Sequence, residues 1–235
     1  MFTFFGYAVG GAVLYWAARR RRLATEGFGY IVVAGICGGI LGAKLMVWMG
    51  FNWQAFAASP LHMLNPHSGG RSIMGGVLGG WLAVELAKHK LGIKRSTGDL
   101  FALALPAGEA IGRIGCFLNG CCYGIPTTAF WGVEQHGALR HPTQLYSAAA
   151  CAAIFGLLLY LRDRMPREGD LFRLYLILWG ASRFLIEFFR ENEVLYHGLS
   201  MFQWIGLELV ILFSIVLWIS HHRIRLNMRQ TAEAN

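Results

Sequence analysis

Ile211-Leu212-Phe213-Ser214-Ile215-Val216-Leu217-Trp218-Ile219-Ser220-His221-His222-Arg223-Ile224-Arg225 decides the class of fold. The apolar run reaches back to about Leu199 and ends on a basic cluster. Its length matches the ~20 residues with which a helix crosses a bilayer core. Working outward, the same block recurs. Spans are expected at roughly 3–18, 29–50, 72–89, 98–117, 141–161, 171–189 and 199–220. The composition agrees: of 235 residues, 55% are hydrophobic, 14% are charged and 30 are glycine. A soluble domain carries roughly 25% charged residues and about 7% glycine. These figures exclude a disordered chain, a small disulfide scaffold and a water-soluble globule. The expected fold is an all-α integral membrane protein with seven transmembrane helices, a single domain over residues 1–235.

The formal charge of +8 raises the question of a nucleic-acid partner, and the placement of the charges answers it. Arg19 to Arg22 form one group, and Lys88, Lys90, Lys94 and Arg95 a second. Arg162, Arg164, Arg167 and Arg173 form a third, and Arg223, Arg225 and Arg229 a fourth. Each lies between or after apolar blocks, all in alternate connections. Only Arg71, Arg140 and Arg190 occupy the other set. Such asymmetry follows the positive-inside rule, so the N-terminus is expected outside, the C-terminus in the cytoplasm, and no nucleic acid as a partner. The first block has its positive charges after the apolar run, which favours a retained helix over a cleaved signal. Segments 51–71 and 118–140 are turn-rich and read as loops or an arm on the outer face. Ser96-Thr97-Gly98-Asp99 has the spacing of a capping box for the fourth helix, Pro106 is expected to kink that helix, and the tail from Gln230 is expected to fray.

Ionisable groups inside spans are costly, which makes two pairs informative. Glu109 and Arg113 are one helical turn apart, as are Arg183 and Glu187, and Arg190 follows. Such pairs either hold a bundle together or line a polar cavity in which arginine forks grip a phosphate. Gly69-Gly70-Arg71-Ser72-Ile73-Met74-Gly75-Gly76 opens the third helix. Gly75 and Gly76 there either admit a lipid headgroup to the backbone or allow close helix packing.

Gly112-Arg113-Ile114-Gly115-Cys116-Phe117-Leu118-Asn119-Gly120 resembles the G-R-I-G-N-F-x-N run of the bacterial prolipoprotein diacylglyceryl transferases. His141-Pro142-Thr143-Gln144-Leu145-Tyr146 is similar to that family's H-P-[ST]-Q-L-Y-E motif, and Arg183 to Arg190 to its R-F-x-x-E-x-x-R motif. The resemblance spans most of the chain. It implies transfer of a diacylglyceryl group from phosphatidylglycerol, or a related anionic phospholipid, to a lipobox cysteine of a prolipoprotein, at the outer face of a bacterial inner membrane. On this basis Arg113, Arg183, Glu187 and His141 are the expected catalytic residues. Arg113 and Arg183 would hold the phosphate, and Glu187 would orient Arg183. Asn119, Gln144, Tyr146, Gly75, Gly76 and the first-helix Tyr7 are expected to bind substrate. No cofactor and no metal are expected.

Four positions depart from the family pattern. Met74 stands where the family has a candidate histidine base, Cys116 where it has asparagine, Cys121 where it has glutamate, and Ser147 where H-P-T-Q-L-Y-E ends in glutamate. His141 is a candidate replacement base, or else a histidine that only orders its loop. Cys116, Cys121 and Cys122 are open to several readings: packing residues, a disulfide, a nucleophile, or a metal site, although C-x4-C-C is not a standard zinc spacing. Cys37 and Cys151 read as small core residues. Three functions therefore compete: the transferase, including a divergent form with another acceptor; a non-catalytic phospholipid-binding or transport protein; and a thiol redox protein.

Overall fold

Each of the seven apolar blocks folds as a helix. The computed structural model describes residues 2–21, 27–51, 73–93, 96–165, 167–191 and 197–233. Among them the helices are α1 (Phe2–Arg20), α2 (Phe28–Phe51), α3 (Ile73–Lys90), α4 (Gly98–Leu118), α5 (Thr143–Leu161), α6 (Asp170–Glu187) and α7 (Met201–Glu233). A hairpin of β1 (Val133–Gln135) and β2 (Ala138–Arg140) interrupts the all-α plan. It turns on His136 and Gly137, both at positive φ (52° and 74°), the backbone of a two-residue hairpin turn whose twist suits antiparallel strands. The 118–140 segment is thus a folded arm. The 51–71 segment lies outside the described residues apart from Phe51, as does the Met74 side chain.

The outward faces of the helices are apolar. Phe4 (73% exposed), Tyr30 (72%), Trp218 (67%) and Leu185 (61%) would be intolerable as a contiguous coat in water; in lipid they are ordinary. Among the described residues, four helices are long and apolar enough to cross a membrane, within Phe28–Val47, Gly98–Leu118, Thr143–Leu161 and Met201–His222. This helical architecture is compatible with an integral membrane protein. Helix α6 carries Asp170, Arg173, Arg183 and Glu187, charges that its neighbours have to satisfy.

The described residues fall into two compact units, Met1–Ala17 with Ser96–Asn235, and Ala18–Arg95. In the smaller unit, α2 and α3 meet along a seam of glycines. A methyl added to Gly42 would strike the Gly75 carbonyl, and one added to Gly38 would come within 2.5 Å of the Gly79 carbonyl. Gly76 lies 3.5 Å from Ala43 and from the Gly39 carbonyl by the same measure. Where lipid offers no hydrophobic gain for helix association, such close approach supplies the van der Waals contact instead. Gly75 and Gly76 therefore take part in helix packing.

In the larger unit α1 lies on α4 through Gly6 and Gly108, and α6 crosses α7 at Gly180 and Gly206. At each crossing an added Cβ would stand 2.7–2.8 Å from the facing carbonyl. Leu100, Leu103, Ile154, Leu158, Leu171 and Tyr175 fill the interior between α4, α5 and α6. The capping box does not form. Thr97 is the N-cap of α4 and makes no side-chain cap bond. The buried Asp99 carboxylate instead accepts from the Gly169 and Phe172 amides at 3.0 and 3.2 Å. It thus caps α6, where a carboxylate meets both orphan N–H groups and the positive end of the helix dipole. Helix α4 runs on through the buried Pro106. Helix α7 continues past Gln230 to Glu233, since Arg229 to Glu233 contain no helix breaker; the last two residues lie outside the described ones.

Candidate functional site

At one end of the larger unit α4 and α6 finish and α5 and α7 begin, and the loop between α4 and α5 folds back over that end. Backbone pairing holds it there: the Gly124 amide donates to the His141 carbonyl, the Ile125 amide to the Phe189 carbonyl, and the His141 amide to the Ile125 carbonyl, at 3.0–3.1 Å. The loop is therefore a fixed wall, laced to the last turn of α6.

Three arginines and two glutamates converge beneath it. Arg113, on α4, donates from Nη2 to Glu109 Oε1 at 2.9 Å and from Nε at 3.3 Å. Glu109 Oε2 in turn accepts from Trp179 Nε1 on α6 at 2.8 Å. One turn further along α6, Arg183 pairs through Nη2 with Glu187 Oε2 at 3.0 Å. Its guanidinium carbon lies 4.6 Å from the centre of the Phe202 ring, a cation–π contact that holds the fork in place. Glu187 Oε1 accepts from Ser200 Oγ at 3.3 Å, and Arg190 Nε stands 4.0 Å from Glu187 Oε2. Arg183 lies within electrostatic reach of Arg190, Glu187, Arg113 and Glu109. Three positive charges thus face two negative ones. Arg183 is only 6% exposed, and its Nε and Nη1 have no hydrogen-bond partner among the described residues. Buried guanidinium N–H groups are expensive to leave unpaired, so this arrangement suits an anion with several oxygens.

His141 lies on the loop side, just before α5. Its Nδ1 is 3.0 Å from Tyr146 Oη, which accepts from Trp131 Nε1 at 2.7 Å, and its ring meets Phe189 edge-on. In the tautomer whose Nδ1–H donates to Tyr146, Nε2 is free to take a proton. The remaining motif residues secure the loop. Gln144 Nε2 donates to the Cys121 carbonyl at 2.8 Å and to Gln135 Oε1 at 3.2 Å. Thr143 Oγ1 donates to the Cys122 carbonyl, and Ser147 Oγ turns back onto the Thr143 carbonyl.

Arg113, Arg183, Glu187, His141, Gln144 and Tyr146 therefore belong to one end of one unit. Asn119 is there too, as the exposed C-cap of α4. Tyr7, 63% exposed on α1, makes no contact with the charged cluster among those described. Gly75 and Gly76 belong to the other unit. Trp179, Phe202 and Ser200 were not anticipated from sequence. Only Trp179 left a signal there, four residues before Arg183 on the same helix face.

Cys116, Cys121 and Cys122 are all free thiols, and their sulfurs lie within 4.8 Å of one another. The hydrogen bond from Cys116 pulls the Cys122 thiol well below its ordinary value against the opposing effect of partial burial, and Arg190 and Arg113 pull the same way.

Comparison with known proteins identifies the family. A family profile described as prolipoprotein diacylglyceryl transferase matches residues 1–219. Among relatives named phosphatidylglycerol–prolipoprotein diacylglyceryl transferase, that of Aeromonas hydrophila is 30% identical over 97% of this chain and 89% of its own. That of Idiomarina loihiensis is 32% identical over 86% and 81%, and that of Pseudoalteromonas atlantica 35% over 82% and 73%. A match of this extent leaves one assignment: the chain belongs to the prolipoprotein diacylglyceryl transferase family.

Proposed function

We propose that the protein transfers the diacylglyceryl group of phosphatidylglycerol to the thiol of a prolipoprotein lipobox cysteine, at the outer face of a bacterial inner membrane. The observation that carries this reading is Arg183, buried beside Arg113 with its Nε and Nη1 unpartnered among the described residues. In the reaction the thiol sulfur attacks the glyceryl carbon that bears the phosphate. A C–S bond forms, the C–O bond breaks, and glycerol phosphate departs. A phosphodiester carries one negative charge, and the released monoester carries up to two. Charge therefore grows on the phosphate as the C–O bond breaks, and arginine forks aimed there bind the transition state more tightly than the ground state. Glu109 and Glu187 hold the two forks in register. His141 Nε2 takes the thiol proton, with Tyr146 and Trp131 fixing the ring.

The direct test is release of glycerol phosphate from phosphatidylglycerol vesicles by the purified protein, with and without a lipobox peptide. Peptide-dependent release is expected. Because Met74, Cys116, Cys121 and Ser147 differ from the family pattern, complementation of a strain depleted of its own transferase is expected to be weak. Specific phospholipid binding with no release on any thiol acceptor would replace the transferase by a lipid-binding protein.

The same reading takes all seven helices as spans, with the N-terminus outside. Reporter fusions after Arg22, after Arg95, after Arg167 and at the C-terminus are then all expected to report cytoplasm. A C-terminal fusion active on the outer face would put the arginine cluster at the cytoplasmic leaflet and overturn the orientation.

A further inference from the structure

The arginine cluster leaves the three cysteines without a task, yet the loop is built to present them together. The Cys121 amide donates to the Cys116 carbonyl at 3.1 Å. The Cys121 and Cys122 carbonyls are held by Gln144 and Thr143 at 2.8 and 3.0 Å. Cys122 itself takes a left-handed backbone, φ 61°, a conformation costly for any residue with a Cβ. With the Cys121 and Cys122 carbonyls tied down on the α5 side, the three residues bring their sulfurs within 4.8 Å of one another.

We propose that Cys116, Cys121 and Cys122 form a three-thiolate binding site for a thiophilic d10 cation, Zn2+ in the first instance, next to the phosphate-binding arginines. Zn–S bonds of ~2.3 Å in tetrahedral geometry set the sulfurs about 3.8 Å apart, so sulfurs that now lie within 4.8 Å of one another need to draw together by about 1 Å at most. Thiolates select soft or borderline cations over Mg2+ and Ca2+. Each cysteine gives up its proton to solvent on coordination. Three thiolates around a divalent cation leave one negative charge, and Arg190 and Arg113, both within electrostatic reach of Cys122, offset it. Gln144 and Thr143 act as the outer layer that orients the ligand-bearing loop, the role that hydrogen-bond partners of ligands serve in metal sites. His136 stands outside the cluster, with Nε2 engaged by the Gly120 carbonyl at 2.7 Å. The fourth position is thereby open to water or to an incoming thiol, which loses its proton on binding.

The spacing alone does not suggest this site, because Cys121 and Cys122 are neighbours in the chain. At the left-handed turn of Cys122 the two adjacent residues hold their sulfurs close to each other and to that of Cys116.

The test uses the full-length protein in detergent micelles, purified with a phosphine reductant and no chelator. Elemental analysis should give one Zn2+ per chain. Exchange into Co2+ should give thiolate-to-metal charge transfer in the near ultraviolet and tetrahedral ligand-field bands in the visible. Cys116→Ser and Cys121→Ser, which remove a ligand, should weaken Zn2+ binding by well over the ~10-fold that loss of an outer-layer partner costs, in competition with a chromophoric chelator. Cys37→Ser and Cys151→Ser should leave it unchanged. Gln144→Leu, which keeps every ligand, should weaken binding by a smaller factor. Two results would overturn the proposal: a chain that takes up neither Zn2+ nor Co2+ with all its thiols reactive, or a disulfide among the three cysteines in non-reduced peptides. Metal content is read without lipid or acceptor. A metal-free chain that still releases glycerol phosphate would therefore refute this site alone, and a zinc-loaded chain without transfer would refute the transferase reading alone.

Discussion

Arg183→Ala is expected to lower transfer by about 10²–10³-fold, the range for loss of one preorganised donor to a developing oxyanion. Arg183→Lys is expected to recover little of it. Arg183 divides its donors: Nη2 faces Glu187, while Nε and Nη1 lack partners among the described residues. A lysine ammonium replaces this fork by a point charge that cannot bridge carboxylate and phosphate together. Alanine also strands Glu187, which is 4% exposed, so part of its effect will be loss of fold. The lysine variant separates the two, since it retains a cation beside Glu187. The comparison to make is glycerol phosphate release by both variants at equal amounts of inserted, monodisperse protein. An Arg183→Lys protein with turnover near wild type would remove the phosphate fork from the mechanism.

Glu109→Ala is expected to have the largest effect on stability, about 3 kcal/mol, the lower end of the cost of stranding one partner of a buried ion pair, because Arg113 is buried while Glu109 keeps part of its side chain exposed. Glu109 serves two helices: Oε1 takes both donations from Arg113 on its own α4, and Oε2 takes the Trp179 indole of α6. Its removal leaves the buried Arg113 fork and the indole N–H without acceptors. Trp179→Phe breaks only the second bond and should cost about 1.5–3 kcal/mol, as for a hydrogen bond to a charged group. Because the indole acts through the carboxylate, the double variant should be little worse than Glu109→Ala alone. Denaturation of the four proteins in one detergent measures all these quantities. Additive losses would mean that Trp179 stabilises the bundle by packing and not through Glu109.

Much of the architecture is legible in the chain because the bilayer imposes a coarse rule. A span must be apolar for about 20 residues, and its backbone bonds close within itself. The seven blocks read from sequence differ from the helices by only a few residues at most ends. The exceptions lie where a side chain makes a distant choice. The spacing of Ser96 and Asp99 describes a local cap equally well, yet Asp99 bonds to amides some seventy residues away. The arm reads as turn-rich but not as a hairpin, because its strands are three residues long. Alternation over so few positions is no signal.

The site divides in the same way. The pairs Glu109–Arg113 and Arg183–Glu187 follow from a spacing of four on a helix, which places both members on one face whatever surrounds them. Sequence also gave two meanings to Gly75 and Gly76, and the α2–α3 contact puts them in helix packing. That Arg113 is tied through Glu109 to Trp179, that Phe202 supports Arg183, and that three sulfurs meet at one point depend on how α4, α6, α7 and the loop come together. Periodicity along a chain fixes what one helix presents on each face. Which faces meet, and which donors remain unsatisfied when they do, is set by the packing of several helices at once and is written in no single segment.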